Sequence, residues 1–220
     1  MRLQLHLSPN TQPVPFNHLH ELTGTLHKWL GHNDLHDGMS LYSFGWLQGG
    51  ERIGNTLWFA QGATWTISFH DESRALVMAK GILKDASLAW GMKVERALEL
   101  DIPTFNARCR FSVDGAVVIR ADREDGSRQY LLWDDPAADE ALTRILQKKW
   151  EKAGYQDVPA VSVRFDRTYQ KARTRLIDIR GTKHRGSTCP VIVEGPPEVQ
   201  RFAWLVGVGE LTGSGCGALN

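Results

Sequence analysis

Gly207-Val208-Gly209-Glu210-Leu211-Thr212-Gly213-Ser214-Gly215-Cys216-Gly217 is the stretch on which the reading of this chain turns. Five glycines in eleven residues form the pattern GxG, five residues, GxG, directly after the apolar segment Phe202 to Val206. Glycine is used this densely where a backbone turns tightly or comes close to another backbone or a phosphate. A glycine-rich end is also a common form of mobile tail. Val208, Leu211, Cys216 and Leu219 argue for an ordered loop instead, because disordered segments rarely space apolar residues so regularly.

Upstream of the loop, Pro196-Pro197 opens a short helix from Glu198 to Val206. Arg175 to Arg180 and Pro190 to Val193 read as two arms of a hairpin, with Lys183-His184-Arg185-Gly186 at its tip. Val161, Val163 and Phe165 alternate in a strand. A helix starts at Asp135 or Pro136 and stops at Gly154, with Leu142, Ile145, Leu146 and Trp150 on one face. Ser127 to Trp133 is a further strand, and Arg108 to Val113 and Ala116 to Arg120 flank an Asp114-Gly115 turn.

The first half has a similar plan. Met1 to Ser8 alternates as a half-buried strand, with Leu3, Leu5 and Leu7 on the inner face and Arg2, Gln4, His6 and Ser8 outside. Asn17 is positioned to cap a helix from His18 to about Leu30. His20, Gly24, His27 and Gly31 form a second stripe on that helix, nearly bare of bulk. Leu41 to Leu47, Thr56 to Phe59 and Thr64 to Phe69 read as strands. A helix from Asp71 or Ser73 to Ala86 and a strand from Gly91 to Leu100 follow. The order predicts an α+β fold of two tandem ferredoxin-like (RRM-like) modules, residues 1–103 and 104–220, the second ending in the glycine-rich loop.

Composition sets the bounds. The 220 residues, 42% hydrophobic and 23% charged, are those of a soluble globular protein with room for two modules of about 100 residues. The net charge of +1 is unevenly placed: 8 Lys/Arg face 10 Asp/Glu in residues 1–103, and 18 face 15 in 104–220. Cys109, Cys189 and Cys216 are odd in number and lack metal-type spacing, which fits free thiols in a reducing compartment. No apolar run reaches membrane-spanning length and the N-terminus lacks a signal peptide's apolar core, so a cytoplasmic protein without membrane contact is expected.

Two groups of residues carry chemistry. Six of the eight histidines fall within the first 36 residues. Neither His18-x-His20 nor His32-x-x-x-His36 comes with further ligands, so a metal-dependent hydrolase rests on histidine density alone. His27, near the end of its helix, and His36, in the turn after it, are better suited to sharing one substrate as acid and base. The second group is basic. Eight Lys/Arg lie between Arg164 and Arg185, opposed only by Asp166 and Asp178. Such a run is either a solvated face or a platform for nucleic-acid phosphates. Trp46 and Trp65 are candidates for stacking a base.

Taken in order, these pieces resemble the CRISPR-associated repeat-processing endoribonucleases of the RAMP superfamily, over essentially the whole chain. The resemblance runs from the first strand and Val14-Pro15-Phe16-Asn17-His18, through Leu35-His36-Asp37 and Leu41-Tyr42-Ser43-Phe44, to Ile179-Arg180-Gly181, Val191-Ile192-Val193-Glu194-Gly195 and the glycine loop. It implies cleavage of CRISPR precursor RNA within each repeat by 2′-hydroxyl attack, with no metal and no cofactor. His36 matches the catalytic acid–base position and His27 the partner position. Many members carry a lysine just before the strand after the catalytic histidine. Gly38-Met39-Ser40 stands there in this chain, leaving Ser40 or a cation from another segment to fill the role. Arg164, Arg167, Lys171, Arg173, Arg175, Lys183, His184 and Arg185, with Gly207, Gly209, Gly213, Gly215 and Gly217, are the expected RNA-binding set.

The expected partner is the repeat RNA, as precursor and as mature guide. An RNA-guided effector complex and a homodimer are further arrangements open to such a protein. The chain stops at Asn220, where relatives complete a strand, which fits either a short form or a domain of a larger fusion. A catalytically inactive RNA-binding subunit of an RNA-guided complex, built on the same fold, stands as the alternative function.

Overall fold

The structure is a computed structural model that describes residues 1–33, 38–122, 126 and 128–220. In the first half the elements are β1 (Arg2–Leu7), β2 (Val14–Pro15), α1 (Leu19–Leu30), β3 (Tyr42–Phe44), β4 (Glu51–Ile53), β5 (Thr56–Trp58), β6 (Ala63–Phe69), α2 (Glu72–Lys84) and β7 (Val94–Glu99). Four of these strands make one antiparallel sheet in the order β3-β6-β1-β7. With α1 between β1 and β3 and α2 between β6 and β7, this is the ferredoxin-like order. The two helices contact each other, and Leu22, Leu26 and Trp29 of α1 join Phe44, Trp65, Phe69 and Met78 in the core. A small second sheet, β2-β5-β4, stands apart.

The second half comprises β8 (Arg108–Phe111), β9 (Val113–Asp114), β10 (Arg120–Asp122), β11 (Arg128–Tyr130), α3 (Ala137–Lys152), β12 (Ser162–Phe165), β13 (Arg173–Ile179), β14 (Thr182–Thr188), β15 (Val191–Glu194), α4 (Pro197–Val206) and β16 (Ala218–Leu219). β12, β15 and β8 form a sheet in that order, and β16 pairs with β9 just beyond β8. Ser112 bridges the two stretches by exchanging backbone hydrogen bonds with Asn220 at 3.0 and 2.9 Å. The same ferredoxin-like order therefore recurs, matching the α+β expectation. Among the described residues no helix is long and apolar enough to cross a membrane.

Several local expectations are corrected. The outer face of β1 is partly covered, because the second half packs against Arg2, while Gln4 and His6 stay half-buried. Arg2 is 3% exposed there, with its guanidinium 4.1 Å from the Trp204 ring and hydrogen bonds to Ser68 Oγ and the Leu219 carbonyl. Asn17 does not cap α1. His18 holds the cap position without a side-chain capping bond, its Nδ1 lying 2.9 Å from the Pro15 carbonyl, and the Asn17 carbonyl is met by the His20 ring. Residues 116–119 do not close a hairpin on 108–113, since Val117 bridges to Ser187 and Val118 to Glu210.

The basic hairpin also has another register. β13 pairs with β14 around Arg180-Gly181, both at positive φ, which is the tight two-residue turn that suits strand twist. Pro190 then ends that ladder, and Val191–Glu194 crosses to the middle of the main sheet. Residues 183–186 lie along a strand rather than at a tip. Finally, β16 follows the glycine loop and pairs with β9.

Candidate active site

A cleft of about 610 Å³ opens where α1 faces the glycine loop. His20, Thr23 and His27 of α1 form one wall, Gly38 to Ser40 and Tyr42 the floor, and residues 209–214 of the loop the opposite wall. Ile145, Lys148 and Lys149 of α3, Arg120 of β10, and Ile179 and Arg180 at the hairpin turn complete the lining. The two sequence halves thus share one cavity.

His27 is half-buried, and its Nδ1 lies 3.1 Å from Asn33 Oδ1. Asn33 Nδ2 donates to the Gly31 carbonyl at 2.7 Å, which orients the amide so that its oxygen faces the ring. With the amide in that orientation Nδ1 carries the proton donated to Asn33, in the neutral and the protonated ring alike. In the neutral form this leaves Nε2 as the basic nitrogen.

Ser40 lies against the loop: a Cβ built on Gly213 would come 2.4 Å from its Oγ and 2.6 Å from the Tyr42 hydroxyl. Tyr42 hydrogen-bonds Ser40 and donates to the Gly213 carbonyl at 3.3 Å. Burial pushes its phenol up to about 12, so it stays a neutral donor. His36 falls in residues 34–37, outside the described residues. The described flanks of that segment both reach the cleft, Asn33 through His27 and Gly38 as lining.

Lys149 is the least expected member. It sits on the apolar face of α3 and is 1% exposed, and its Nζ meets the carbonyls of Val206 and Gly207 at 3.0 and 3.2 Å and Thr212 Oγ1 at 3.1 Å. Burial lowers its pKa to about 7, against a smaller opposing pull from Glu210. Nζ donates to all three oxygens, the two carbonyls and the Thr212 hydroxyl. The side chain ties the end of α4 to the middle of the glycine loop.

The loop glycines are occupied by this packing. A Cβ on Gly217 would lie 1.9 Å from the Val208 carbonyl oxygen, one on Gly207 2.6 Å from that of Gly217, and one on Gly209 2.7 Å from that of Val118. On Gly215 it would strike Phe44 at 2.8 Å and Leu19 at 2.9 Å. The close approach that the glycines permit is thus protein against protein, and only Gly209 and Gly213 also face the cleft.

The basic residues divide by their surroundings. Arg164 pairs with Glu194 at 3.0 Å, and Arg167 is held by Asp139 and the Asp135 carbonyl, so both brace the second sheet and α3. His184 is turned inward, 7% exposed, with Nδ1 3.2 Å from the Tyr130 hydroxyl. Lys171, Arg173, Arg175, Lys183 and Arg185 are exposed, and the Arg175 guanidinium stands 5.9 Å from the Trp46 ring. Trp46 is half-buried and donates to the Gly215 carbonyl at 2.8 Å, while Trp65 is wholly in the core, where no base can reach it. Among the described residues no group of three or more His, Cys, Asp or Glu is arranged to hold a metal ion.

Sequence reading missed Arg120, Lys148 and Lys149. For Lys149 the signal was present, since it completes the stripe of Leu142, Ile145, Leu146 and Trp150, where a lysine is out of place.

The profile described as CRISPR associated protein Cas6, C-terminal, matches residues 101–220. A search of curated protein sequences found no match. Among solved structures, a Cas6-related gene product from Pyrococcus furiosus superposes with a TM-score of 0.87 at 18% identity, over 100% of this chain and 97% of its own. A CRISPR associated protein Cas6 gives 0.83 at 23% identity, over 100% and 98%. A structure described as an RAMP protein binding different RNA substrates gives 0.87 at 17%, again over 100% and 98%. At these identities the structural likeness is one of fold. With more than half its length matched by the profile, the chain belongs to the CRISPR-associated Cas6 family.

Proposed function

We propose that this chain is a metal-independent endoribonuclease that cuts CRISPR precursor RNA within its repeats. One imidazole takes the proton of the ribose 2′-hydroxyl, and the 2′-oxygen attacks the adjacent phosphorus. The P–O5′ bond breaks, and a second acid delivers a proton to the leaving 5′-oxygen. The products are a 2′,3′-cyclic phosphate and a 5′-hydroxyl, and the balance needs no metal. Each acid–base contribution is worth about 10²–10⁴ in rate.

The observation that carries this reading is His27 in the cleft, its Nδ1 bonded to Asn33 and its cavity shared with Gly38, the two residues that flank the segment holding His36. His27 and His36 are assigned the acid–base pair, and Ser40 a neutral donor. Lys148 and Arg180 line the same cleft and supply the positive charge that Gly38-Met39-Ser40 lacks. The exposed cations of β13 and β14 take phosphates outside it. Residues 1–103 would then bring the histidines and 104–220 the cations and the glycine loop, within the cytoplasm.

The test is incubation with a panel of CRISPR repeat RNAs in excess EDTA, with chemical mapping of the product ends. His36→Ala is expected to abolish cleavage, a loss of at least about 10² in rate, while binding is nearly unchanged. Unaltered cleavage by that variant removes His36 from the mechanism. Activity lost in EDTA and restored by zinc replaces the reading with a metal-dependent one. Tight binding without cleavage by the wild-type protein identifies an RNA-binding subunit instead.

A further inference from the structure

A second cavity, of about 430 Å³, adjoins the cleft along the outer side of α3. Arg144 and Lys148 line it from the helix, and Arg120, Asp122 and Glu210 line it from the other side. Arg120, Ile145, Lys148 and Glu210 belong to both cavities, so the two form one continuous trough.

The helix sets the pattern of charge in this trough. Arg144, Lys148 and Lys152 recur every four residues, each about 6 Å further along the axis, and all three are exposed on one face. At the far end, Lys152 Nζ stands 3.2 Å from where a Cβ on Gly38 would lie, which brings the stripe to the residue directly after the 34–37 segment. Glu140, one turn before Arg144, marks the other end. The two carboxylates facing the trough are already engaged, Glu210 by Arg120 and Asp122 by Arg128 at 3.4 Å. Arg144 and Lys148 therefore give the trough a positive excess where the two cavities join.

We propose that this trough carries the single-stranded RNA flanking the cut, with Arg144, Lys148 and Lys152 on successive backbone phosphates. The inference rests on the endoribonuclease reading and extends it to a binding track separate from the β13–β14 cations. A repeating row of cations at a spacing close to one nucleotide suits a polymer of evenly spaced anions. Its open end at the cleft is where the reacting phosphate of the same strand must sit. An acidic protein partner would need no such continuity with the cleft.

The test uses the repeat RNA that the wild-type protein cuts, blocked by a single 2′-deoxy nucleotide at the mapped site so that it binds without being consumed. Fluorescence anisotropy across a salt series compares wild type with Arg144→Gln/Lys148→Gln and with Lys152→Gln. Removing one cation from a phosphate lowers the slope of log K against log salt by about 0.7 for a single strand. The double variant is expected to lose about 1.4 and the single variant about 0.7, with affinity falling roughly tenfold or more for the pair. Lys80→Gln/Lys84→Gln, on the exposed side of α2, is the charge-matched control and should keep the wild-type slope. An unchanged slope in the α3 variants, or an equal loss in the control, overturns the trough and leaves the nuclease reading standing. A wild-type protein that binds no repeat RNA removes both.

Discussion

Lys149 shows what a single residue does in this fold. Its three partners hold the start and middle of the glycine loop to the end of α4, and the chain packs around an amine whose pKa has fallen from 10.5 to about 7. The unfolded chain binds more protons than the folded one at every pH between those two values. The contribution of this group to folding stability therefore rises as pH goes from about 7 to about 10, and it is flat below that range. Lys149→Met, of similar volume, removes the titrating group. Denaturant unfolding of both proteins across this pH range should show wild type gaining stability relative to the variant as pH rises. Parallel profiles would mean that the ammonium is not the titrating species. The thiols of Cys189 and Cys216, both pushed upward by burial, are common to the two proteins and drop out of the difference.

At the scale of elements, the glycine loop and α1 make opposite uses of glycine. Gly217 combines φ +66 with a Cβ position 1.9 Å from the Val208 oxygen, and that oxygen is backbone with nowhere to move. Gly217→Ala should cost more than about 2 kcal/mol, the left-handed strain alone accounting for about 1–2. Gly24, in the exposed part of α1, has ordinary helical φ and nothing within 4 Å of its Cβ position. Gly24→Ala should stabilise the protein by roughly 0.5–1 kcal/mol through helix propensity. Thermal unfolding of the two variants reads both signs, and a well-tolerated Gly217→Ala would mean that the loop is not packed as described. The element order could be read from alternation, caps and breakers, and so could α1, α2, α3 and α4 to within a few residues. Hairpin partners could not, because Val191–Glu194 pairs across long sequence separations that no local pattern encodes.

Across the whole molecule the two sheets are joined by shared packing and hydrogen bonds. The core beneath the first sheet takes in Ala116, Val118, Ile177 and Cys216 from the second half. Ser43 Oγ donates to the Leu205 carbonyl at 2.9 Å, and Asp114 accepts from the Trp46 backbone at 3.2 Å and from Gln48 at 2.8 Å. Arg2 reaches from the first strand to the last, and burial lowers its pKa to about 10. Far-ultraviolet circular dichroism and tryptophan fluorescence should therefore report one coincident urea transition. Arg2→Ala should lower stability by about 2–4 kcal/mol, since Ser68 and the Leu219 carbonyl lose their buried donor. Two separated transitions in the wild-type protein would refute this coupling.

The sequence by itself determined the α+β order, the ordered glycine loop and the concentration of histidines near the start of the chain. Each of these is written in local spacing, which the backbone periods of helix and strand translate directly. Only the tertiary structure decided which side chains meet. It placed His27 opposite the glycine loop, buried Lys149 and Arg2, turned His184 inward, and joined Arg144 and Lys148 to the cleft through a trough. These outcomes depend on how two units separated by a hundred residues pack together. Glycine makes that packing possible by removing the side chains that would hold the backbones apart, and the burial it creates sets the charge state and partners of the residues around the cleft.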